Sequence, residues 1–142
     1  MQSGTGASGA GPLVLVCDDV EAIRRLVRIN LELAGFAVEE AADGHEAMAR
    51  LIDPDRSVPG VIVLDSEMAP YDGWWAIAAI RSHPRLDPVP VLLLTGSVVT
   101  HDAPEASGAG FDGFLSKPFD PDDLVAAVSR LAEAGRGPRG RP

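Results

Sequence analysis

Three short apolar runs, Leu13-Val-Leu-Val-Cys17, Val61-Ile-Val-Leu64 and Val89-Pro-Val-Leu-Leu-Leu94, alternate with longer segments whose apolar residues recur at helical spacing. Strands that are apolar on both faces need cover on both faces, which a parallel sheet between two helical layers supplies. After the first run, Ile23, Val27, Leu31 and Ala34 keep helical period, and Gly35 closes that helix as a C-terminal cap. Residues 37–41 read as a second strand, 44–52 as a second helix, 74–82 as a third helix and 111–115 as a weak fifth strand. The last helix carries the fullest set of signals. Asp120 can cap it, Pro121 suits its first turn, Asp123 complements its N-terminal dipole, and Leu124, Val128 and Leu131 share one face up to Gly135. A fourth helix over residues 98–107 is expected to be short and irregular, because Pro104 is tolerated only in a first turn. The pattern predicts an α/β fold, a doubly wound parallel sheet of five βα units in three layers.

A chain of 142 residues suits one domain, expected over residues 13–134 between tails at 1–12 and 135–142 that are rich in Gly, Ser, Pro and Arg. The tails are expected to be mobile and solvated, the second of them basic. The formal charge is −9, from 12 basic and 21 acidic residues, and three of the arginines lie in the last seven positions. Such a body is unsuited to a phosphate backbone, so no direct nucleic-acid binding is expected. Cys17 is the only cysteine, which excludes an internal disulfide, and it is expected to be a small core residue. No signal peptide and no apolar run of about 18 residues is present, so a cytoplasmic location without membrane contact is expected.

Ligands of open parallel sheets sit at the carboxyl ends of the strands. Asp18 and Asp19 follow the first strand, Asp65 the third, Thr95 the fourth and Lys117 the fifth. Taken singly, an Asp at a strand-to-helix junction is more often a cap or turn former, and a Lys before proline a solvated side chain. Their conjunction at successive strand ends is what points to chemistry. Carboxylates gathered over apolar strand ends repel one another and call for a cation, and an all-oxygen cluster suits Mg²⁺ with room left for phosphate. Thr95 offers a hydroxyl donor. Lys117, the only lysine beside eleven arginines, offers a compact charge for a phosphoryl oxygen.

These residues and their surroundings, Val-Leu-Val-Cys-Asp18-Asp19, Val-Ile-Val-Leu-Asp65 with Met68 and Asp72-Gly73, Leu-Leu-Leu-Thr95-Gly-Ser, and Phe114-Leu-Ser-Lys117-Pro118-Phe119, resemble a response-regulator receiver domain of two-component signalling. The resemblance covers residues 13 to about 134. It implies a flavodoxin-like sheet of order 2-1-3-4-5. It also implies a phosphoacceptor at Asp65, taking a phosphoryl group from the phosphohistidine of a sensor histidine kinase or phosphotransfer protein. Mg²⁺ would be held by Asp19, Asp65 and the backbone carbonyl of Glu67, with Asp18 acting through water, and Thr95 and Lys117 would hold phosphoryl oxygens. The Lys117-Pro118 bond would be cis. Phe114 stands at the switch aromatic, and the surface of the fourth helix, fifth strand and last helix would signal to a downstream protein target or output domain. On this reading the domain is a signalling module rather than an enzyme, catalysing only its own phosphorylation and dephosphorylation. It would be either a single-domain regulator or a receiver from a longer protein.

The chain departs from the family pattern in the loop Ser66-Glu67-Met68-Ala69-Pro70, where proline comes one position late and Glu67 could set its carboxylate near the phosphoryl group. Trp74 and Trp75 stand where the family has one aliphatic and one polar residue, and one ring is expected to pack while the other is exposed. A phosphorylation-independent pseudo-receiver is the main alternative. An aspartate-nucleophile phosphohydrolase needs a second Asp two residues after its nucleophile, which neither Asp18-Asp19 nor Asp65-Ser66-Glu67 supplies.

Overall fold

A computed structural model describes residues 11–96 and 107–136. The expected tails beyond these bounds, and nearly all of the expected fourth helix, lie outside the described residues. Five strands, β1 (Leu13–Cys17), β2 (Ala37–Ala41), β3 (Val61–Asp65), β4 (Val91–Thr95) and β5 (Gly113–Ser116), form one sheet of order β2-β1-β3-β4-β5. Every pair is parallel, with Cys17 beside Leu64, Asp65 beside Leu94 and Thr95 beside Ser116, so the carboxyl ends of the central strands share one edge. This is the order and class expected. β4 begins two residues later than the sequence suggests because Pro90 has no N–H for the ladder. β5 begins later too, since Asp112 is drawn out of the strand to accept from the Val91 N–H.

Helix α1 (Glu21–Leu33) and the C-terminal helix (Pro121–Ala134) cover one face of the sheet, and α2 (Gly44–Leu51) and α3 (Gly73–Ser82) the other. Alternation along each strand assigns the two cores. Val14, Val16, Val63 and Leu94 meet Val27, Leu31, Leu124 and Val128, while Leu15, Ile62, Leu64 and Leu93 meet Leu51, Ile77, Ile80 and Phe111. The caps are local: Asp43, Asp72 and Asp120 accept from the N–H groups of Glu46, Trp75 and Asp122, and Gly35 leaves α1 at φ 101°. No helix among the described residues is long and apolar enough to cross a membrane.

The edge strand β2 is closed by charge. Arg24 and Arg28 of α1 bond Glu40, and Arg50 of α2 and Arg56 bond Glu39. The hydrogen bond from Arg28, followed by that from Arg24, outweighs partial burial and holds the Glu40 carboxyl below the usual glutamate range. A depressed acid contributes stability that is present above its unfolded pKa and lost as the pH falls through the folded one. Urea midpoints of the wild type are therefore expected to drop between pH ~5 and ~3 more steeply than those of Glu40→Gln, in which this contribution is missing at every pH.

At the amino edge of the sheet the Asp112 carboxylate, 3% exposed, is shared by two guanidinium groups. Arg81 donates to its Oδ2 at 2.9 Å and to the carbonyls of Gly110, Asp87 and Val89, while Arg136 donates to its Oδ1 at 3.0 Å and to Asp87. Arg136, read from the sequence as part of a solvated basic tail, is instead a packed residue, 7% exposed. The buried carboxylate beside it is what draws it in.

Candidate functional site

All five residues singled out at strand ends meet at the carboxyl edge. Asp18 and Asp65 are buried at the ends of β1 and β3, Thr95 is buried as the last residue of β4, and Lys117 follows β5. Asp19, the next residue along from Asp18, is exposed. Lys117 Nζ donates to Asp65 Oδ1 at 2.9 Å and to Asp18 Oδ2 at 3.3 Å. Its own position is set from β4, because the Lys117 N–H donates to the Thr95 carbonyl at 2.7 Å. The other Asp18 oxygen accepts from the Val20 N–H at 2.9 Å, and Arg24 donates to the Asp18 carbonyl.

One carboxylate oxygen each from Asp18, Asp19 and Asp65 lies within 4.8 Å of the others. The strand residues just before them, Cys17 and Leu64, are buried and apolar, as are Leu94 beside Asp65 and Met68 in its loop. Burial, with the Asp18 charge adding to it and Lys117 only partly opposing it, raises the Asp65 pKa above the usual aspartate value. Burial alone would lower that of Lys117, but the hydrogen bond to Asp65 and the charges of both aspartates outweigh it and raise the value. One ammonium thus faces three carboxylates, and an all-oxygen donor set this close fits a small, hard divalent cation. Cys17 is the expected core residue. Its thiol donates to Met68 Sδ at 3.4 Å, and burial, with nearby Asp43 and Asp18, pushes its pKa up, so it is inert.

The start of α3 leans directly on the site. A Cβ on Gly73 would come within 2.4 Å of the Asp65 carbonyl oxygen and 3.2 Å of the Ser66 Cα, both backbone atoms that have no room to yield. Gly73→Ala is expected to lower stability by about 1–3 kcal/mol in urea unfolding and to displace the Asp65 loop. In that loop the Glu67 N–H donates to Asp65 Oδ1 at 3.3 Å, Met68 is buried and Glu67 is exposed. Both Ala69-Pro70 and Lys117-Pro118 are cis, the second as the resemblance implies.

Phe114 stands 44% exposed on β5 rather than in the core. The two tryptophans differ from expectation, since Trp74 is 37% and Trp75 41% exposed and each packs on an aromatic neighbour. Trp74 meets Phe111 edge-on at 5.3 Å, and Trp75 lies 4.7 Å from Tyr71. Consecutive helical residues point about 100° apart, so the pair straddles the buried face with neither ring wholly inside. Tyr71, its neighbour His45 and the anchor Arg24 had no motif to announce them.

The chain matches the family model described as response regulator receiver domain over residues 14–129. It is 37% identical over 122 residues to the DNA-binding dual master transcriptional regulator RpaA of Synechocystis, covering 84% of this chain and 48% of RpaA. It is 31% identical to Protein PilG of Pseudomonas aeruginosa, covering 83% of this chain and 85% of PilG. It superposes on the chemotaxis response regulator CheY4 of Vibrio cholerae with a TM-score of 0.76 and 33% identity, covering 84% and 98% of the two chains. It thus spans about half the length of RpaA and of the response regulator Rre1. The expectation of no nucleic-acid partner, drawn from the charge of this chain alone, finds no support in a relative described as DNA-binding. Sheet order, acidic edge, family model and these relatives agree: the chain belongs to the response-regulator receiver domains, phosphoryl-accepting modules of two-component signalling.

Proposed function

We propose that Asp65 is the phosphoacceptor and that the domain takes its phosphoryl group from a phosphohistidine on a sensor histidine kinase or a phosphotransfer protein. The observation that carries this reading is the convergence of a buried Asp65 with Asp18, Asp19 and the Lys117 ammonium, bonded to Asp65 at 2.9 Å. An Asp65 oxygen attacks phosphorus in line, the phosphorus–nitrogen bond breaks, and the leaving imidazole keeps the electron pair. Lys117 takes up charge on one phosphoryl oxygen and the Thr95 hydroxyl donates to another. Asp19, Asp65 and the Glu67 carbonyl would hold Mg²⁺, which when bound keeps the carboxylates ionised and neutralises phosphoryl charge. Asp18, with both oxygens already hydrogen-bonded, acts on the ion through water and orients Lys117. The exposed Glu67 side chain bears on the lifetime of the aspartyl phosphate, which the domain itself hydrolyses.

Drawing Thr95 toward the phosphoryl group leaves space that Phe114, exposed on β5, fills by turning inward. The altered face around β5 and the C-terminal helix then engages a downstream protein target or output domain. Incubation with acetyl phosphate and Mg²⁺ is expected to give a single phosphoryl adduct by intact mass, mapping to the peptide that holds Asp65 and absent after chelation. An adduct elsewhere, or one indifferent to metal, would overturn the assignment. The pseudo-receiver alternative has no observation in its favour.

A further inference from the structure

On the α2/α3 face, beside the acidic edge but outside it, three exposed rings form a ladder. His45 and Tyr71 have ring centroids 5.4 Å apart, and Tyr71 and Trp75 are 4.7 Å apart. The ladder is held at both ends. The Gly44 N–H at the start of α2 donates to the Tyr71 carbonyl at 2.8 Å, and a Cβ on Gly44 would come within 2.7 Å of that oxygen and 3.1 Å of the Trp75 ring. Asp72 caps α3 through the Trp75 N–H. Contact this close leaves the rings little freedom, so little conformational entropy is lost when a ligand settles on them.

The segments that carry the ladder are acidic. Asp43, Glu46 and Asp72 lie in the segments that carry the rings, and each accepts from a backbone N–H. None of the three forms an ion pair with Lys or Arg among the described residues, whereas Glu39, Glu40 and Asp112 are all so paired. The electron-rich faces of Tyr71 and Trp75, with unpaired carboxylates on the same segments, attract one chemistry above others, a planar or compact organic cation. An apolar helix would strand the carboxylates, and an acidic segment would be repelled.

We propose that the ladder of His45, Tyr71 and Trp75 is a docking surface for an arginine- or lysine-bearing segment of a partner protein. The cation lies against Tyr71 and Trp75 and is neutralised by Glu46 and Asp72. This surface is separate from the β5 face assigned above to switching, and its occupancy does not require phosphorylation.

A Trp74→Phe chain, with Trp75 as its sole tryptophan, reports on the ladder. Titration at physiological salt with a peptide of alternating Arg and Ala is expected to shift the Trp75 emission and its indole N–H resonance saturably, and a Glu-Ala peptide to do neither. Tyr71→Leu in that background, checked for an unchanged circular dichroism spectrum, is expected to weaken binding about tenfold. Glu46→Gln keeps an acceptor for the Ala42 N–H but removes the charge, and is expected to weaken it about threefold. Equal affinity in Tyr71→Leu, or resonance shifts spread evenly over the acidic surface, would mean charge attraction without a site and would overturn the proposal. So would a Trp75 emission that varies with protein concentration in the absence of peptide, since a second copy of the chain would then be the occupant.

Discussion

An Asp112→Ala chain is expected to lose about 3–5 kcal/mol of stability, a large share of the 5–15 kcal/mol that a domain of this size has in total. The carboxylate is almost wholly enclosed, and it holds Arg81 and Arg136, themselves 12% and 7% exposed. Removing it takes from two buried guanidinium groups the carboxylate they share and from the Val91 N–H its acceptor. It also unfastens four parts of the chain at once: the end of α3, the turn before β4, the start of β5 and Arg136, two residues past the C-terminal helix. Urea unfolding followed by circular dichroism measures the loss directly. Asp112→Asn keeps an acceptor and is expected to fall between wild type and alanine. A loss below about 1 kcal/mol in the alanine variant would show that the cluster is solvated and worth no more than a surface pair.

Asp65→Asn is expected to abolish the acetyl phosphate adduct while leaving the fold intact. The amide has no anionic oxygen with which to attack phosphorus, and no other carboxylate of the cluster is placed as Asp65 is. Asp18 has both oxygens engaged and Asp19 is exposed. Stability is expected to hold or rise slightly without metal, because burial and the Asp18 charge already disfavour the ionised Asp65. The neutral amide removes that repulsion, and its carbonyl oxygen can still accept from Lys117. A persistent adduct at full rate in this variant would mean that another residue is the acceptor.

Much of the fold and the site was legible because a parallel sheet imposes one rule on many residues. Strands buried on both faces read as unbroken apolar runs, and their carboxyl ends must share an edge, so Asp18, Asp65, Thr95 and Lys117 could be assembled without any contact being known. Asp18 is buried where it bonds Val20 and Lys117, while Asp19, one residue further past the end of β1, is exposed. The late start of β4 follows locally from Pro90, whereas that of β5 has a tertiary reason. Phe111 is buried like a strand residue, but Asp112 turns away to serve Val91 and the two arginines. Arg136 looked solvated because nothing local marks its partner, 24 positions back. The ladder of His45, Tyr71 and Trp75 was hidden likewise, as it joins two helix starts that only packing brings together.

The two edges of the sheet are balanced differently. At one, two guanidinium groups hold the buried Asp112 carboxylate, with Asp87 as a second partner of Arg136, and at the other, three carboxylates gather around a single ammonium that bonds two of them. The first arrangement is complete without any ligand, whereas the second is left short of positive charge and waits for it. Mutations therefore divide by edge: those around Asp112 change how many molecules in a cell are folded at all, and those around Asp65 change what each folded molecule can answer to. A loss of signalling traced to the first group would be repaired by slowing degradation, and one traced to the second would not.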